Sequence, residues 1–161
     1  TRFNNIMAME KTLVLLKPCT MQRGLVGEII NVFEKKGLQI CGLKMMRLDD
    51  KILNEHYAHL AGKVFFQRVK DSMMAAPVVA MCLSGVGAVD AVRTLAGATN
   101  GRNADPGPIR GRYCMSFQEN SVHTSDSKET AAVELKRFFR DDEILEWKQS
   151  VFTSLYACDE Y

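Results

Sequence analysis

Short apolar runs alternate along this chain with segments whose apolar residues recur at helical spacing. Residues 12–16 form an apolar run that stops at Lys17-Pro18, and residues 77–83 are continuously apolar, so both segments are predicted to be buried strands. Residues 38–48, with partial alternation, predict another strand, and residues 113–117 are predicted to form the last one. A chain built this way must bury a sheet against helices.

Helical patterns lie between the predicted strands. Apolar side chains from Leu25 to Phe33 fall on one helix face, and Gly37 follows as a typical C-terminal glycine. The further predicted helices lie around residues 52–60, 65–74, 89–96 and 131–139. Residues 98–111 have no periodicity and predict a long loop, which is often functional in compact domains. The order is β-α-β-α-α-β-α-β-α. Its core indicates an α/β (α+β) fold of the ferredoxin-like split-βαβ type, with a four-stranded antiparallel sheet and added helices.

The length of 161 residues fits one domain, which we expect over residues 9–161. Residues 1–8 lack a pattern and are expected to be a disordered or artificially added extension. Charged residues make up 25% and hydrophobic residues 47% of the chain, which are ordinary globular values. The net charge of +2 argues against duplex nucleic acid or a membrane surface as partner. Neither a membrane span of ~20 apolar residues nor a signal peptide is visible.

Five cysteines are spread along the chain, and no two of them form a C-x-x-C unit. This excludes a zinc ribbon or a thioredoxin-type motif as the basis of function. Most of the cysteines lie in apolar runs, where buried and inert thiols are common. We therefore expect a reducing, intracellular environment, most simply the cytoplasm.

One histidine is surrounded by small hydrogen-bonding residues, in the order Asn-Ser-Val-His-Thr-Ser-Asp-Ser. A neutral imidazole such as that of His123 is a nucleophile near physiological pH, because its unperturbed pKa is about 6.5. Ser125 and Asp126 precede a predicted helix, whose free amides and dipole favour an anion. The alternative is that Ser125-Asp126-Ser127 only caps the helix, with Asp126 and Glu129 resembling a capping box, although the segment can do both.

Three cations could bind phosphate. Phosphoryl transfer needs a nucleophile and positive charge at the transferring oxygens. Lys17 lies at a strand end, Arg93 on the polar side of a helix, and Arg110 in the glycine- and proline-containing loop. Each of them, taken alone, is more often an ordinary solvated charge.

Two other patterns suggest different chemistry. Residues 85–90, Gly-Val-Gly-Ala-Val-Asp, resemble a dinucleotide fingerprint but carry Asp90 where a small residue is needed. A tight turn before a helix explains that segment better, and no P-loop motif is present. His56 and His59 could face one metal ion from a predicted helix, but no third ligand lies nearby in the sequence.

The histidine segment matches the N-x-x-H-G-S-D-S signature of the nucleoside diphosphate kinase family. The matching positions are Asn120, His123, Ser125, Asp126 and Ser127. Other matches run in order along the chain: Lys17-Pro18, residues 22–30, His56-Tyr57, Phe65-Phe66, residues 76–81, Gly97, Thr99-Asn100 and residues 109–111. From about residue 9 to residue 156, the chain therefore resembles this family.

The resemblance implies a ping-pong kinase in which His123 carries the γ-phosphate of a nucleoside triphosphate to a nucleoside diphosphate. It implies that Glu134 orients the histidine ring and that Phe65 stacks on the base. The catalytic residues implied by the family are His123, Glu134, Ser125 and Lys17, and the nucleotide-binding residues are Lys17, Tyr57, Phe65, Arg93, Thr99, Arg110 and Asn120. For the two aromatic residues, a purely structural role in the core is the alternative.

The family also implies Mg²⁺ carried by the nucleotide phosphates, with no metal held by the protein, and a homo-oligomer. The long tail resembles that of hexamer-forming members, although tetramers and dimers also stay open. Thr124, Cys19, Ala98 and Gly101 depart from the family pattern, and Gly101 is predicted to soften a loop that resembles the subunit-contact loop. A non-catalytic nucleotide-binding or scaffolding relative, disabled by Thr124, is one alternative. A regulatory or single-stranded nucleic-acid module is another, which the small net charge disfavours.

Overall fold

The computed structural model describes residues 9–161, so the expected extension at residues 1–8 lies outside the described residues. Four antiparallel strands form one sheet in the order β2-β3-β1-β4. The strands are β1 (Met9–Leu16), β2 (Gln39–Met46), β3 (Val78–Val86) and β4 (Val122–Thr124). The helices are α1 (Pro18–Gln22), α2 (Val26–Lys36), α3 (Asp50–His56), α4 (Phe66–Met74), α5 (Ala88–Ala96), α6 (Ile109–Tyr113), α7 (Lys128–Phe138) and α8 (Phe152–Leu155). This arrangement confirms the predicted ferredoxin-like fold.

The two central strands bury both of their faces, and this explains their continuous apolar sequence. On one face, Leu13 and Leu15 of β1 pack in a cluster with Phe138 of α7. On the other face, Leu16 packs in a cluster with Phe33 of α2. All five of these side chains are at most 2% exposed, and burying each one stabilises the fold by about 1.5–3 kcal/mol. Helices therefore cover both faces of the sheet.

The edge strand β4 is short. It pairs with β1 through three residues, with His123 opposite Leu15. In β1, the chain runs into Lys17 and then directly into α1, a helix that the sequence did not predict because it has only five residues. Proline is well tolerated in the first turn of a helix, and Pro18 stands there. The ends of β1 and β4 thus bring Lys17 and His123 to the same region of the molecule.

The predicted last strand at residues 113–117 is wrong. Tyr113 ends α6, and the chain continues as a loop until Val122. Met115 is 77% and Phe117 63% exposed, so the apolar side chains of this segment do not belong to a buried face. The true strand has three residues, too few for its periodicity to be visible in the sequence.

Two local predictions also need correction. The loop at residues 98–111 contains a 3₁₀ turn at Gly101–Asn103 and the start of α6. The cap of α7 is Ser127, whose side chain accepts a hydrogen bond from the Thr130 backbone N–H at 3.0 Å, so Asp126 and Glu129 do not form the predicted capping box. Across residues 9–161, the helices are all too short or too polar to span a membrane.

Candidate active site

A cleft of about 650 Å³ opens beside β4 and the loops that follow α5 and α6. Seven of the predicted site residues line it: Lys17, Tyr57, Arg93, Thr99, Arg110, Asn120 and His123. Glu134 and Ser125 are buried behind this lining, and Phe65 is not among the lining residues. The structure therefore gathers residues from five separate segments of the chain around one histidine.

The ring of His123 is oriented by a buried carboxylate. Its Nε2 atom is hydrogen-bonded to Oε2 of Glu134, whose side chain is 4% exposed and projects from α7. An ionised carboxylate can only accept a hydrogen bond, so Nε2 carries the N–H of the neutral ring and Nδ1 keeps its lone pair. With Nε2 engaged in this way, Nδ1 is the ring atom free to act as a nucleophile.

The backbone just before His123 is strained. Among the described residues, Ser121 alone combines a non-glycine side chain with a positive φ, at 68°. That conformation costs a non-glycine residue about 1–2 kcal/mol. The carbonyl of Ser121 accepts hydrogen bonds from the Lys17 backbone N–H at 2.9 Å and the Thr20 hydroxyl at 2.7 Å. The Ser121 hydroxyl accepts a further hydrogen bond from Cys114 Sγ at 3.0 Å, so three hydrogen bonds hold the turn in place.

Thr124 follows the histidine as part of β4, paired with Val14 of β1. Since its φ is not positive, its β-branched side chain does not strain the backbone. The departure from the family glycine at this position therefore leaves the local conformation intact.

Lys17 and Arg110 place two positive charges in the cleft. The Lys17 ammonium donates to the Gln118 carbonyl at 3.2 Å, and burial together with the charge of Arg110 lowers its pKa to about 8. The two terminal nitrogens of Arg110 donate to the carbonyls of Gly97 at 2.7 Å and Val122 at 2.8 Å. Burial lowers the pKa of Arg110 as well, and its Nε atom is buried without a partner among the described residues.

Other side chains tie the cleft walls together. The Arg93 guanidinium, exposed on α5, donates to the Asp126 carbonyl at 3.1 Å. The Asn120 side-chain amide donates to the carbonyls of Thr99 at 3.1 Å and Phe117 at 2.9 Å. These bonds join the loop after α5 to the loop before β4.

Gly101 lies in the first of these loops and is buried. A Cβ atom there would stand 2.3 Å from the Cys114 carbonyl oxygen, a separation that real side chains do not show. Gly101 is predicted to soften this loop. The structure adds a separate reason for a glycine here, because the Cys114 backbone lies too close for any side chain.

The aromatic candidates differ in their surroundings. Tyr57 is packed in the core and also lines the cleft, and burial raises its pKa to about 12. Phe65 is 37% exposed at the start of α4. Ser125 is fully buried next to the strand end, where its hydroxyl has no partner among the described residues.

His56 is a site residue that sequence reasoning considered only as a metal ligand. Its Nδ1 atom lies 3.4 Å from Glu134 Oε2, and its ring centroid lies 4.5 Å from that of His123. Burial lowers the pKa of His56 to about 2, so the ring is neutral and this approach is not an ion pair. His59, its suggested companion, is exposed in a turn after α3. The match at His56-Tyr57 is the one sequence signal that singles out this residue.

The chain is similar to known proteins of one family. Residues 10–144 match the family model described as nucleoside diphosphate kinase. The nucleoside diphosphate kinase of Parabacteroides distasonis is 64% identical over 153 residues, which cover 95% of this chain and 100% of the relative. That of Staphylothermus marinus is 49% identical over 138 residues, 86% of this chain and 98% of the relative.

Two solved structures have the same fold. A halophilic nucleoside diphosphate kinase from Halobacterium salinarum, in complex with CDP, superposes with a TM-score of 0.90 at 38% identity. The match covers 92% of this chain and 99% of that one. The Aquifex aeolicus nucleoside diphosphate kinase gives a TM-score of 0.82 at 35% identity, covering 86% and 100% of the two chains.

The fold and these matches define a nucleotide-binding transferase of the kinase type. More closely, the chain belongs to the nucleoside diphosphate kinase family. The resemblance stated from the sequence and the prediction of an enzyme are both confirmed.

Proposed function

We propose that this enzyme transfers the γ-phosphate of a nucleoside triphosphate to a nucleoside diphosphate in two steps, through a phosphohistidine at His123. The observation that carries this proposal is the hydrogen bond from His123 Nε2 to Glu134, which leaves Nδ1 free beside a cation-lined cleft. The Nδ1 lone pair forms a bond to the γ-phosphorus as the bond to the bridging oxygen breaks, and the diphosphate leaves with that electron pair. In the second step, a terminal phosphate oxygen of a different diphosphate forms a bond to that phosphorus as the P–Nδ1 bond breaks, and the electron pair returns to Nδ1.

The cations around the cleft would offset the charge of the transferring phosphoryl group. Lys17 and Arg110 lie in the cleft lining, and Arg93 faces the same space from α5. Arrangements of this kind supply catalysis by positioning and electrostatic stabilisation. The Nε2 proton stays shared with Glu134, whose negative charge stabilises the ring as the new bond forms.

The remaining lining residues would contact phosphate and sugar. Tyr57, Thr99 and Asn120 each present polar groups to the cleft, and the Asn120 Oδ1 atom has no partner among the described residues. The partly exposed ring of Phe65 is proposed to stack on the base, an interaction that tolerates different bases. The Ser125 hydroxyl, also without a partner among residues 9–161, would form a hydrogen bond with His123 or with the phosphate.

Mg²⁺ is proposed to enter with the nucleotide phosphates, where it neutralises part of their charge. Mg²⁺ prefers oxygen ligands in an octahedral arrangement and usually binds substrate phosphates in kinases. Within residues 9–161, the one group of three closely spaced metal-binding side chains is His56, His123 and Glu134. Two imidazoles and a carboxylate already bonded to one of them fit Mg²⁺ poorly, which supports a metal carried by the substrate.

We also propose a homo-oligomer, with a hexamer as the preferred assembly, and a cytoplasmic location. The hexamer rests on the resemblance of the long tail to that of hexamer-forming members. The free cysteines, Cys19, Cys41, Cys82, Cys114 and Cys158, are compatible with a reducing compartment.

Labelling with γ-labelled ATP tests the proposed function. The protein should acquire an acid-labile, base-stable label that is passed on when an unlabelled nucleoside diphosphate is added. A His123→Ala variant should acquire none, whereas His59→Ala, which changes an exposed histidine, should label normally. Full labelling of His123→Ala would contradict the assignment. Nucleotide binding without any phosphoenzyme would instead select the non-catalytic alternative, which the undisturbed backbone at Thr124 does not favour.

A further inference from the structure

We propose that Arg137 is a positioning residue, which reserves the Glu134 carboxylate for His123 by holding His56 in the tautomer that cannot donate to it. The importance of this arrangement for catalysis rests on the proposed function. The tautomer of His56 can be measured without reference to any activity.

Two imidazoles approach the same carboxylate oxygen. Glu134 Oε2 accepts the hydrogen bond from His123 Nε2, and His56 Nδ1 lies 3.4 Å from that same atom. A neutral imidazole carries its single N–H on one of two nitrogens. If His56 carried it on Nδ1, a second donor would point at the oxygen that orients the nucleophile.

Arg137 decides which nitrogen of His56 is protonated. It follows Glu134 by one turn of α7, and one of its terminal nitrogens lies 3.0 Å from His56 Nδ1. A guanidinium is always a donor and never an acceptor, so Nδ1 must accept and the proton must be on Nε2. His56 Nε2 is itself buried without a partner among the described residues, so no acceptor there favours this tautomer. The guanidinium is thus the contact that selects it.

The guanidinium is fixed in this position. The Arg137 side chain is 12% exposed, and its Nε atom lies 3.2 Å from Glu55 Oε1 in an ion-pair contact without hydrogen-bond geometry. Glu55 directly precedes His56 in α3, so the pair also links α3 to α7 beneath the nucleophile. Burial and the neighbouring charges keep His56 neutral, with a pKa of about 2, which leaves tautomerism as its one proton equilibrium at working pH.

Removal of Arg137 should release this equilibrium. In an Arg137→Met variant, the proton of His56 would move from Nε2 to Nδ1, where Glu134 Oε2 is the acceptor within reach. His123 would then compete with His56 for that oxygen. Whenever His123 loses, its own proton can settle on Nδ1, which removes the lone pair needed for attack. At metal sites, loss of the partner that orients a ligating imidazole typically costs about 10–100-fold, and by analogy we expect kcat to fall by about that factor here. KM should change little, because Arg137 does not line the cleft.

Nitrogen NMR of the histidine side chains in the full-length protein tests the proposal. In the parent protein, His56 should show a non-protonated Nδ1 and a protonated Nε2, and Arg137→Met should reverse this. Arg137→Lys keeps a side chain that can donate to Nδ1 but cannot accept from it, so it should retain the parent tautomer with most of kcat. Lys136→Met removes an exposed positive charge from the neighbouring position of α7 and should match the parent in both respects.

The results separate the possible failures. A protonated Nδ1 on His56 in the parent protein, or identical His56 tautomers in the parent and Arg137→Met, would overturn the proposal. If the His56 tautomer reverses in Arg137→Met but kcat is unchanged, the proposed contribution of Arg137 to catalysis is wrong. If Arg137→Met does not fold, the parent spectrum and Arg137→Lys still decide the tautomer. If the parent protein shows no phosphoryl transfer, the proposed function fails while the tautomer result stands independently.

Discussion

Arg110 supports the fold as well as the cleft, and an Arg110→Met substitution should expose both roles. The side chain is 9% exposed and donates to the carbonyls of Gly97 and Val122 at 2.7 and 2.8 Å. Hydrogen bonds from a charged donor contribute about 1.5–3 kcal/mol each. The carbonyl of Gly97 borders the cleft and can be rehydrated, whereas that of Val122 is buried. We therefore expect the free energy of unfolding to fall by about 2–4 kcal/mol, a large share of the ~5–15 kcal/mol typical of a domain.

Urea unfolding at a fixed protein concentration measures this loss, since an oligomer gains apparent stability with concentration. The midpoint should fall while the slope with denaturant stays constant, because the surface exposed on unfolding is unchanged. Arg93→Met is the matched control. It removes the same charge from the same cleft, but Arg93 is exposed and makes one hydrogen bond, to Asp126. Its effect should stay within about 0.5 kcal/mol.

Equal stability of the two variants would refute this reasoning. It would mean that water replaces the guanidinium at both carbonyls and that Arg110 acts on the ligand alone. Arg110→Lys provides a further check, because an ammonium lacks the planar fork that reaches two separated carbonyls. Its stability should fall between those of the parent and Arg110→Met.

Two further predictions concern the cleft and its supporting loop. Because the pKa of Lys17 is lowered to about 8, its charge is lost as the pH rises through that value, so KM for nucleotide should rise above about pH 8. A Lys17→Arg variant should lose that rise, and an unchanged profile would show that another group titrates. Gly101→Ala should destabilise the protein by about 1–3 kcal/mol, because the new methyl group would meet the Cys114 carbonyl oxygen at 2.3 Å. Gly107→Ala, at a position with open space, should have little effect in the same unfolding assay.

The parts of the fold that the sequence predicts are those with long, repeated patterns. The β3 strand, with eight of its nine residues buried, gives a continuous apolar signal, and α2 repeats its apolar face over three turns before Gly37. The pattern fails where an element is short, as in α1 and β4. At Met115 and Phe117 it misleads, since these exposed apolar side chains imitate a strand.

The site residues also divide into those that the sequence could predict and those that only the packed structure reveals. His123, Lys17 and Arg110 could be singled out from sequence because each stands in a motif or at the end of an element. The contacts of His56 with Glu134 and Arg137 could not, because they join α3 to α7 and depend on how those helices pack on the sheet. No local pattern records such a contact.

The left-handed backbone of Ser121 makes the orientation of His123 depend on other segments of the fold. The energy stored in that one residue is offset by hydrogen bonds from two separate segments, Lys17 and Thr20 at the start of α1 and Cys114 directly after α6. Loss of these bonds would loosen the turn that leads directly into β4, which pairs with β1 through three residues. Because Thr20 and Cys114 do not line the cleft, substitutions there would act on His123 through this turn and not through a ligand. The orientation of the histidine thus depends on residues that no ligand in the cleft would contact.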